Sequence, residues 1–187
     1  IIKQAIEREL RRKGQVYFLH NRVGTIKAAK EFLESLTKGR VGIAHGRMKK
    51  EKLSQVMSEF KKGNIDILVA TTIIEAGIDL PNTNTLIVAD STKLGLSQAY
   101  QIKGRVGRSY KKAYSYFLYP SGSLKGKAKE RLKTLKKIKE LGSGYQIALK
   151  DLEMRGAGNI LGKEQSGTVN QIGLNLYCQM INQAIEK

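Results

Sequence analysis

The alternation of two hydrophobic periods over the first 119 residues constrains the fold of this chain more than any other feature. Short apolar runs rich in strand-forming residues lie at 16–19, 41–44, 65–70, 86–89 and 114–119. Between them, segments such as 26–33 and 53–60 place apolar residues three and four positions apart, which is typical of amphipathic helices. A first helix is predicted within 1–13, and glycines that can end helices stand at 14, 39 and 63. The alternation predicts an α/β fold with a parallel sheet flanked by helices.

The sequence pattern changes after Pro120. Residues 121–150 carry nine Lys and Arg residues against two Glu, and apolar residues at helical spacing predict a basic amphipathic helix within 125–141. A second helix is predicted over 145–154, followed by a glycine-rich stretch at 155–167 and a last helix at 174–185. We therefore expect two parts, an α/β domain at 1–120 and a helical part at 121–187.

The net charge of +18 indicates a polyanionic partner, with nucleic acid the first candidate and an anionic membrane surface the second. The basic helix has no bulky aromatic residues on its apolar face, which argues against the membrane surface. The single cysteine, Cys178, excludes an internal disulfide framework and a multi-thiolate zinc site. It fits a reducing compartment, so a cytoplasmic location is expected. Because the chain opens at Ile1 inside a helical pattern, we expect a segment of a longer protein.

Ligands of open parallel sheets bind beyond the ends of strands, so polar residues after each apolar run are candidates. Thr71 and Thr72 follow the third run, and their hydroxyls can donate to a phosphodiester oxygen. Gly77 and Asp79 suit the approach of a ribose, although Asp79 in an ordinary turn could instead cap a local amide. The glycine after His45 could bring backbone amides to a phosphate, whereas His45 itself fits a helix-capping or hydrogen-bonded polar residue better than a catalytic one.

Two arginines form the third candidate group, since Arg105 and Arg108 are three positions apart and each follows a glycine. We expect them one helical turn apart and projecting in the same direction. Guanidinium groups stay charged and match phosphate oxygens, which suits the charge on a transferring phosphoryl group. Solvated surface arginines are the alternative. A phosphate-binding Gly-x-x-x-x-Gly-Lys-Ser/Thr loop and an acidic pair for magnesium are absent from the sequence.

Several segments resemble the motifs of superfamily 2 helicases and occur in the same order along residues 15–119. Residues 16–23 resemble motif IV, residues 72–82 motif V and residues 101–109 motif VI, while 45–48 matches a further segment of the group. Departures are mild: Arg, Ala, Tyr and Lys stand where the group commonly has Gln, Thr, His and Arg, at positions 47, 76, 100 and 103. The resemblance implies a RecA-like motor domain.

Residues 151–167 resemble the translocation motif that RecG helicases share with the transcription-repair coupling factors. The Gly-Ala-Gly form at 156–158 and the Glu that precedes Gln165 are more similar to the coupling factors. This resemblance implies the second RecA-like domain of an ATP-dependent double-stranded DNA translocase in transcription-coupled repair, followed by its helical translocation module. It also implies that RNA polymerase binds other parts of such a protein.

The same resemblance implies roles for single residues. Arg108 is expected as the arginine finger and Arg105 as a second γ-phosphate ligand. ATP and Mg²⁺ are expected to bind mainly to a first motor domain, without which this chain should not hydrolyse ATP. Nucleotide contacts are expected from Glu75, Gly77, Asp79, Gln101 and Gly104. DNA-backbone contacts are expected from Asn21, Arg22, His45, Gly46, Arg47, Thr71 and Thr72. Coupling of hydrolysis to movement is expected from Arg155 and Gln165.

Two other functions remain open from the sequence. A RecG-like fork-remodelling helicase would have the same motor and would differ in its accessory domains. A non-catalytic basic module that binds RNA or DNA would have the same charge, and restored ATP hydrolysis on mixing with a first motor domain would contradict it.

Overall fold

A computed structural model of the chain describes residues 1–72, 82–107, 110–137 and 144–155. The strands in these ranges are β1 (Gln15–Leu19), β2 (Val41–Ala44), β3 (Ile67–Ala70), β4 (Thr83–Val88) and β5 (Tyr114–Phe117). The helices are α1 (Ile2–Arg11), α2 (Ile26–Leu36), α3 (Lys50–Lys61), α4 (Leu96–Lys103), α5 (Gly126–Lys137) and α6 (Gly144–Arg155).

The strands form one sheet in the order β2-β3-β1-β4-β5, and every neighbouring pair is parallel. All carboxyl ends therefore lie along one edge of the sheet and all amino ends along the other. We call these the carboxyl edge and the amino edge. The predicted α/β fold with a RecA-like parallel sheet is confirmed.

Both faces of the sheet are covered, because successive side chains of a strand point in opposite directions. Val16 and Phe18 of β1 belong to the core on the side of α1 and α2. Tyr17 and Leu19 belong to the core on the side of α3 and α4, which also includes the fully buried Phe60. Apolar residues therefore face both sides of the sheet in its central strands.

Some element boundaries differ from the prediction, and β4 differs most. It begins at Thr83, three positions before the predicted apolar run, and its first residues are polar yet fully buried. Burial is tolerated because the Thr85 hydroxyl and the Asn84 side-chain amide both donate to the carboxylate of Glu9 in α1. At the other end, β5 stops at Phe117 rather than at 119.

The predicted helix ends are well placed. Helix α1 ends at Arg11, shortly before Gly14, and α3 ends at Lys61, followed by Gly63 with a φ of +82°. Only glycine adopts that left-handed conformation without steric cost, which makes Gly63 a natural residue to end a helix.

The helices beyond Pro120 pack onto the α/β unit. Leu135 of α5 and Ile147 of α6 are buried in the core that contains α4, and Arg131 of α5 donates to the Thr92 carbonyl (2.8 Å). Helix α5 is basic, as predicted. The division of the chain at residue 120 stays a prediction, and the glycine-rich stretch after Arg155 and the predicted last helix lie outside the described residues. Within the described ranges, no helix is long and apolar enough to cross a membrane.

Candidate nucleic-acid and nucleotide interfaces at two edges of the sheet

The loops that follow β1, β2 and β3 are neighbours along the carboxyl edge, because these strands are adjacent in the sheet. The residues expected to contact DNA all lie in these loops: Asn21, Arg22, His45, Gly46, Arg47, Thr71 and Thr72. The parallel fold thus brings together residues that are separated by up to 51 positions in the sequence, as the Asn21–Thr72 pair shows.

A hydrogen bond joins two of these loops. The Asn21 side-chain oxygen accepts from the Thr72 amide (3.2 Å), and the His20 amide donates to the Ala70 carbonyl (2.8 Å). The side chains of Asn21 and Arg22 are exposed. These contacts fix the backbone of both loops while the basic side chain stays available to a ligand.

His20 is a neighbour of this group that the sequence did not single out. Its Nε2 lies 2.8 Å from the Thr25 hydroxyl. Partial burial, and to a smaller extent the positive charge of Arg22, lower the pKa of the His20 imidazole below its ordinary value. The carboxyl edge therefore gains no positive charge from His20 at neutral pH.

The loop after β2 is a tight turn in which the Met48 amide donates to the His45 carbonyl (3.1 Å) and the His45 amide contacts the Met48 sulfur (3.4 Å). His45 does not cap a helix, since α3 has Lys49 as its N-cap residue, so that alternative is wrong. Gly46 and Arg47 at the tip of the turn are exposed. Arg47 is therefore an exposed cation at the tip of this turn.

Thr71 and Thr72 differ in accessibility. Thr71 is 4% exposed, and its hydroxyl oxygen is buried without a hydrogen-bond partner in the described part of the chain. Thr72 is half-buried and lies beside Asn21. Of the two hydroxyls expected at DNA, that of Thr72 is the accessible one.

The arginine-bearing segment lies at the opposite edge. The Gly107 amide donates to the carbonyl of Thr83, the first residue of β4 (3.0 Å), which places Gly107 and the adjacent Arg105 near the amino edge. We expected every candidate segment to lie beyond the carboxyl end of a strand. This expectation is wrong for the arginine-bearing segment. A six-residue strand separates the edges by about 17 Å at the usual rise per residue.

Helix α4 ends at Lys103, so the segment around Arg105 is a turn rather than a helix. Gly107 has a φ of +79°, and a Cβ built on it would lie 2.4 Å from the Cβ of Ala113. The expectation that a continuous helix turn carries both arginines is therefore wrong. Arg105 is half-buried, and Gln101 and Gly104 beside it are exposed.

Several expected site residues lie outside the described ranges: Glu75, Gly77, Asp79, Arg108 and Gln165. Arg155 is the last residue of α6, and its backbone alone is described. Roles assigned to these residues stay predictions.

Asp151 stabilises the start of α4, a role that the sequence pattern does not reveal. Helix α4 begins after Gly95, which has no side chain to cap it. Asp151 of α6 takes that place: its Oδ1 accepts from the Leu96 amide (3.1 Å) and its Oδ2 from the Ser97 hydroxyl (2.7 Å). Asp151 is 6% exposed. The one sign of this role in the sequence is that Gly95, before the first residue of α4, has no side chain that could cap the helix.

The donor set at the amino edge fits the phosphates of a nucleotide, because a half-buried guanidinium and glycine backbone lie side by side there. It does not fit a magnesium ion, since no group of three or more His, Cys, Asp or Glu residues occurs among the residues described. These residues can complete a nucleotide site whose metal ligands come from elsewhere.

The parallel sheet with helices on both faces is a RecA-like fold of the helicase kind. The chain belongs to the family "Helicase conserved C-terminal domain", whose model matches residues 1–110. The chain is 51% identical over its whole length to the transcription-repair-coupling factor of Bacillus subtilis and 48% identical to that of Staphylococcus epidermidis. It spans 16% of the length of each of these relatives. The resemblance to the coupling factors is confirmed.

Solved structures agree with this assignment. RecG bound to a three-way DNA junction matches 96% of this chain with a TM-score of 0.74 and 31% identity, over 23% of the RecG chain. The C-terminal domain of the DEAD-box protein Dbp5 matches 72% of this chain and 77% of its own chain, with a TM-score of 0.53 and 20% identity, and shows the fold alone.

Proposed function

We propose that this chain is the second motor domain of an ATP-driven double-stranded DNA translocase that acts in transcription-coupled DNA repair in the bacterial cytoplasm. The observation that carries the proposal is the 51% identity to a transcription-repair-coupling factor, which extends over the whole chain, including residues 121–187. A general helicase domain would account for residues 1–110 alone. The proposed partners are the first motor domain, which belongs to the same longer protein, and RNA polymerase, which is a separate protein.

The carboxyl edge is proposed to bind the DNA backbone. Arg22 and Arg47 supply positive charge, and Asn21 and Thr72 supply neutral hydrogen-bonding groups, all from loops that the parallel sheet places side by side. Such groups neutralise and orient phosphates without reading base edges. Binding should therefore be independent of sequence and sensitive to salt.

The amino edge is proposed to complete a nucleotide site. When bound, ATP with Mg²⁺ supplies the phosphoryl group whose hydrolysis drives the motor. Arg108 is the proposed finger and Arg105 the second phosphate ligand, and the first motor domain supplies the phosphate-binding loop and the metal ligands. The remaining proposed nucleotide contacts are Glu75, Gly77, Asp79, Gln101 and Gly104.

Arginine substitution in the intact protein tests this assignment. Arg108→Ala should lower ATP turnover by about 10³ to 10⁵, the range for removal of an arginine finger, while nucleotide binding persists. Arg105→Ala should also lower turnover. Arg47→Ala is the matched control at the other edge and should keep turnover at saturating DNA. Turnover within about threefold of wild type in Arg108→Ala would contradict the finger role, and ATP hydrolysis by the isolated chain would contradict the two-domain site.

Arg155 and Gln165 are proposed to couple hydrolysis to movement. An Arg and a Gln on either side of a glycine-rich stretch can form hydrogen bonds in one nucleotide state and release them in another. Alanine at either position should leave substantial ATP hydrolysis and abolish DNA translocation, measured by triplex displacement. Equal losses in both assays would assign the two residues to the fold or the active site instead.

A fork-remodelling function is the second candidate, and the structural match to RecG on a three-way junction favours it. The two functions predict different substrates for the intact protein. A coupling factor should displace an RNA polymerase stalled on DNA, whereas a RecG-like enzyme should reverse a model replication fork. Fork reversal without polymerase displacement would select the second candidate.

A further inference from the structure

A fully buried carboxylate lies at the amino edge, outside the residues that the helicase motifs include. Glu9 of α1 has no solvent exposure, and its Oε2 accepts from the Thr85 hydroxyl (2.5 Å). The same oxygen accepts from Nε of Arg12 (3.0 Å) and from the Nη2 group of that arginine. A buried carboxylate without a cation is strongly unfavourable, so Glu9 holds Arg12 in one position.

A glycine keeps the space for this carboxylate. A Cβ built on Gly14 would lie 1.7 Å from Oε1 of Glu9, a distance that no side chain can occupy. The chain reverses at this point, where the Gly14 amide donates to the Glu9 carbonyl (3.0 Å). The end of α1, the start of β1 and the start of β4 therefore share one small polar cluster.

Arg12 extends this cluster to the end of the arginine-bearing segment. Its Nη1 donates to the Lys112 carbonyl (2.6 Å), and in return the Lys111 ammonium donates to the Arg12 carbonyl (2.9 Å). The next strand is attached by the same helix, since the Arg8 guanidinium stacks 3.4 Å from the ring centre of Tyr114. Residues 111–114 are thus held by α1 through contacts with two of its basic side chains.

The segment that carries Arg105 is attached at two points, and both follow Arg105 in the chain. At Gly107 it is bonded to the first residue of β4, and at 111–112 it is bonded to the end of α1. Both attachments meet the same strand, because β4 supplies the Thr83 carbonyl to Gly107 and the Thr85 hydroxyl to Glu9. A guanidinium that stabilises a transition state must be held within about 0.5 Å of its position, which such attachments can provide.

We infer that Glu9 and Arg12 are positioning residues for the arginine-bearing segment: the pair fixes residues 111–112 against the end of α1 and, together with the bond from Gly107 to β4, keeps Arg105 at the amino edge. The expected effect on ATP hydrolysis rests on the proposed function. The attachment of the segment rests on the contacts alone. The ion pair of Arg40 with Asp66 (2.9 Å) lies before β2 and β3 at the same edge. Arg40 and Asp66 bond to each other and to the backbone before β3, away from residues 104–112, which makes Arg40 a control.

The test compares Arg12→Ala with Arg11→Ala in the intact protein. Arg11 is the last residue of α1 and directly precedes Arg12, and its Nε donates within the helix to the Glu7 carbonyl (3.4 Å). Amide hydrogen exchange of peptides spanning 104–112 should quicken by about tenfold in Arg12→Ala, the change expected from losing one hydrogen bond to a charged group. It should stay unchanged in Arg11→Ala and in Arg40→Ala. Maximal ATP turnover should fall in Arg12→Ala alone, with unchanged DNA affinity.

Arg12→Ala leaves Glu9 buried without its cation and can unfold the chain, so a second variant is required. Glu9→Gln combined with Arg12→Gln removes both charges, keeps a polar side chain at each position and removes the guanidinium that contacts Lys112. It should show the same faster exchange at 104–112.

Wild-type exchange at 104–112 in a folded variant would overturn the inference. An equal increase of exchange along β2 and β3 would also overturn it, since the pair would then stabilise the whole sheet. Normal turnover in Arg105→Ala would contradict the proposed function and leave the attachment to be decided by the exchange measurement.

Discussion

The two edges of the sheet are built differently. At the carboxyl edge, Arg22 and Arg47 extend from short turns into solvent. At the amino edge, Gly107 is bonded to β4 and a buried carboxylate fixes Arg12 against the Lys112 carbonyl. Under the proposed function the difference has a physical reason. A phosphate backbone that slides past needs charge with little positional demand, whereas phosphoryl transfer needs groups at fixed positions.

A substitution at Gly107 should break the amino edge most severely. Gly107→Ala forces a residue with a Cβ into a φ of +79° and brings that Cβ to 2.4 Å from Ala113. The segment must move, and a displacement of about 1 Å can lower turnover by about 100-fold. The measurement is DNA-stimulated ATP hydrolysis by the intact protein. Gly24→Ala is the control at the other edge, since nothing lies within 4 Å of its Cβ position. Equal activity of the two variants would remove the contrast between the edges.

Charge removal at the carboxyl edge should change DNA affinity and spare turnover at saturating DNA. Arg22→Ala and Arg47→Ala should each weaken binding about equally for all sequences and lower the slope of log affinity against log salt by about one. Lys62→Ala removes the same charge from an exposed position at the end of α3, at the amino edge, and should leave affinity unchanged. Fluorescence anisotropy at several salt concentrations measures both quantities. An equal slope change in Lys62→Ala would mean that the total charge, not the edge, determines binding.

The start of α4 offers a smaller, purely structural test. Asp151→Ala removes the acceptor for the Leu96 amide and the Ser97 hydroxyl, and should lower the free energy of unfolding by about 1–2 kcal/mol, the range for loss of a helix cap. Urea unfolding measures this change. Asp151→Asn keeps one acceptor oxygen and should lose less. Wild-type stability of Asp151→Ala would show that the described cap contributes nothing.

The Arg40–Asp66 pair should give the smallest effect, and one that depends on pH. The hydrogen bond from Arg40 lowers the pKa of the Asp66 carboxyl below its ordinary value. A lowered pKa in the folded state means that the stabilisation is present at neutral pH and is lost as the pH falls through the folded pKa, below about 4. Asp66→Asn should therefore be less stable than wild type at pH 7 and equally stable in strong acid. A difference that persists in acid would exclude the ion pair as its cause.

The sequence predicted the sheet well and the arrangement of the site less well. Apolar runs report burial directly, so the strands and the helix ends at Gly14 and Gly63 could be found. The polar start of β4 could not, because Thr83 and Asn84 look like loop residues until Glu9 is known to lie against that strand. Contacts between residues 70 or more positions apart leave no local pattern in the sequence. The role of Arg12 could not be predicted for the same reason.

The position of the residues expected at DNA was easier to predict than the position of the expected phosphate ligands, for a related reason. Residues such as Asn21 and His45 directly follow strands, and parallel topology then collects them at one edge. Arg105 follows α4, which crosses back over the sheet. The edge at which Arg105 lies therefore depends on where α4 ends. The left-handed φ of Gly107 shows that the chain turns between the two arginines, which the expected helical spacing did not anticipate.

The cap on α4 has a consequence for how the chain matures during synthesis. The backbone amide of Leu96 donates to the carboxylate of Asp151, 55 residues further along the chain. The first turn of α4 is therefore completed only after α6 has left the ribosome. A nascent chain that ends near Pro120 has all five strands of the described sheet and still lacks this cap. The helix that precedes Arg105 therefore acquires its N-terminal cap late, when the polypeptide has been extended into the segment that resembles the translocation motif.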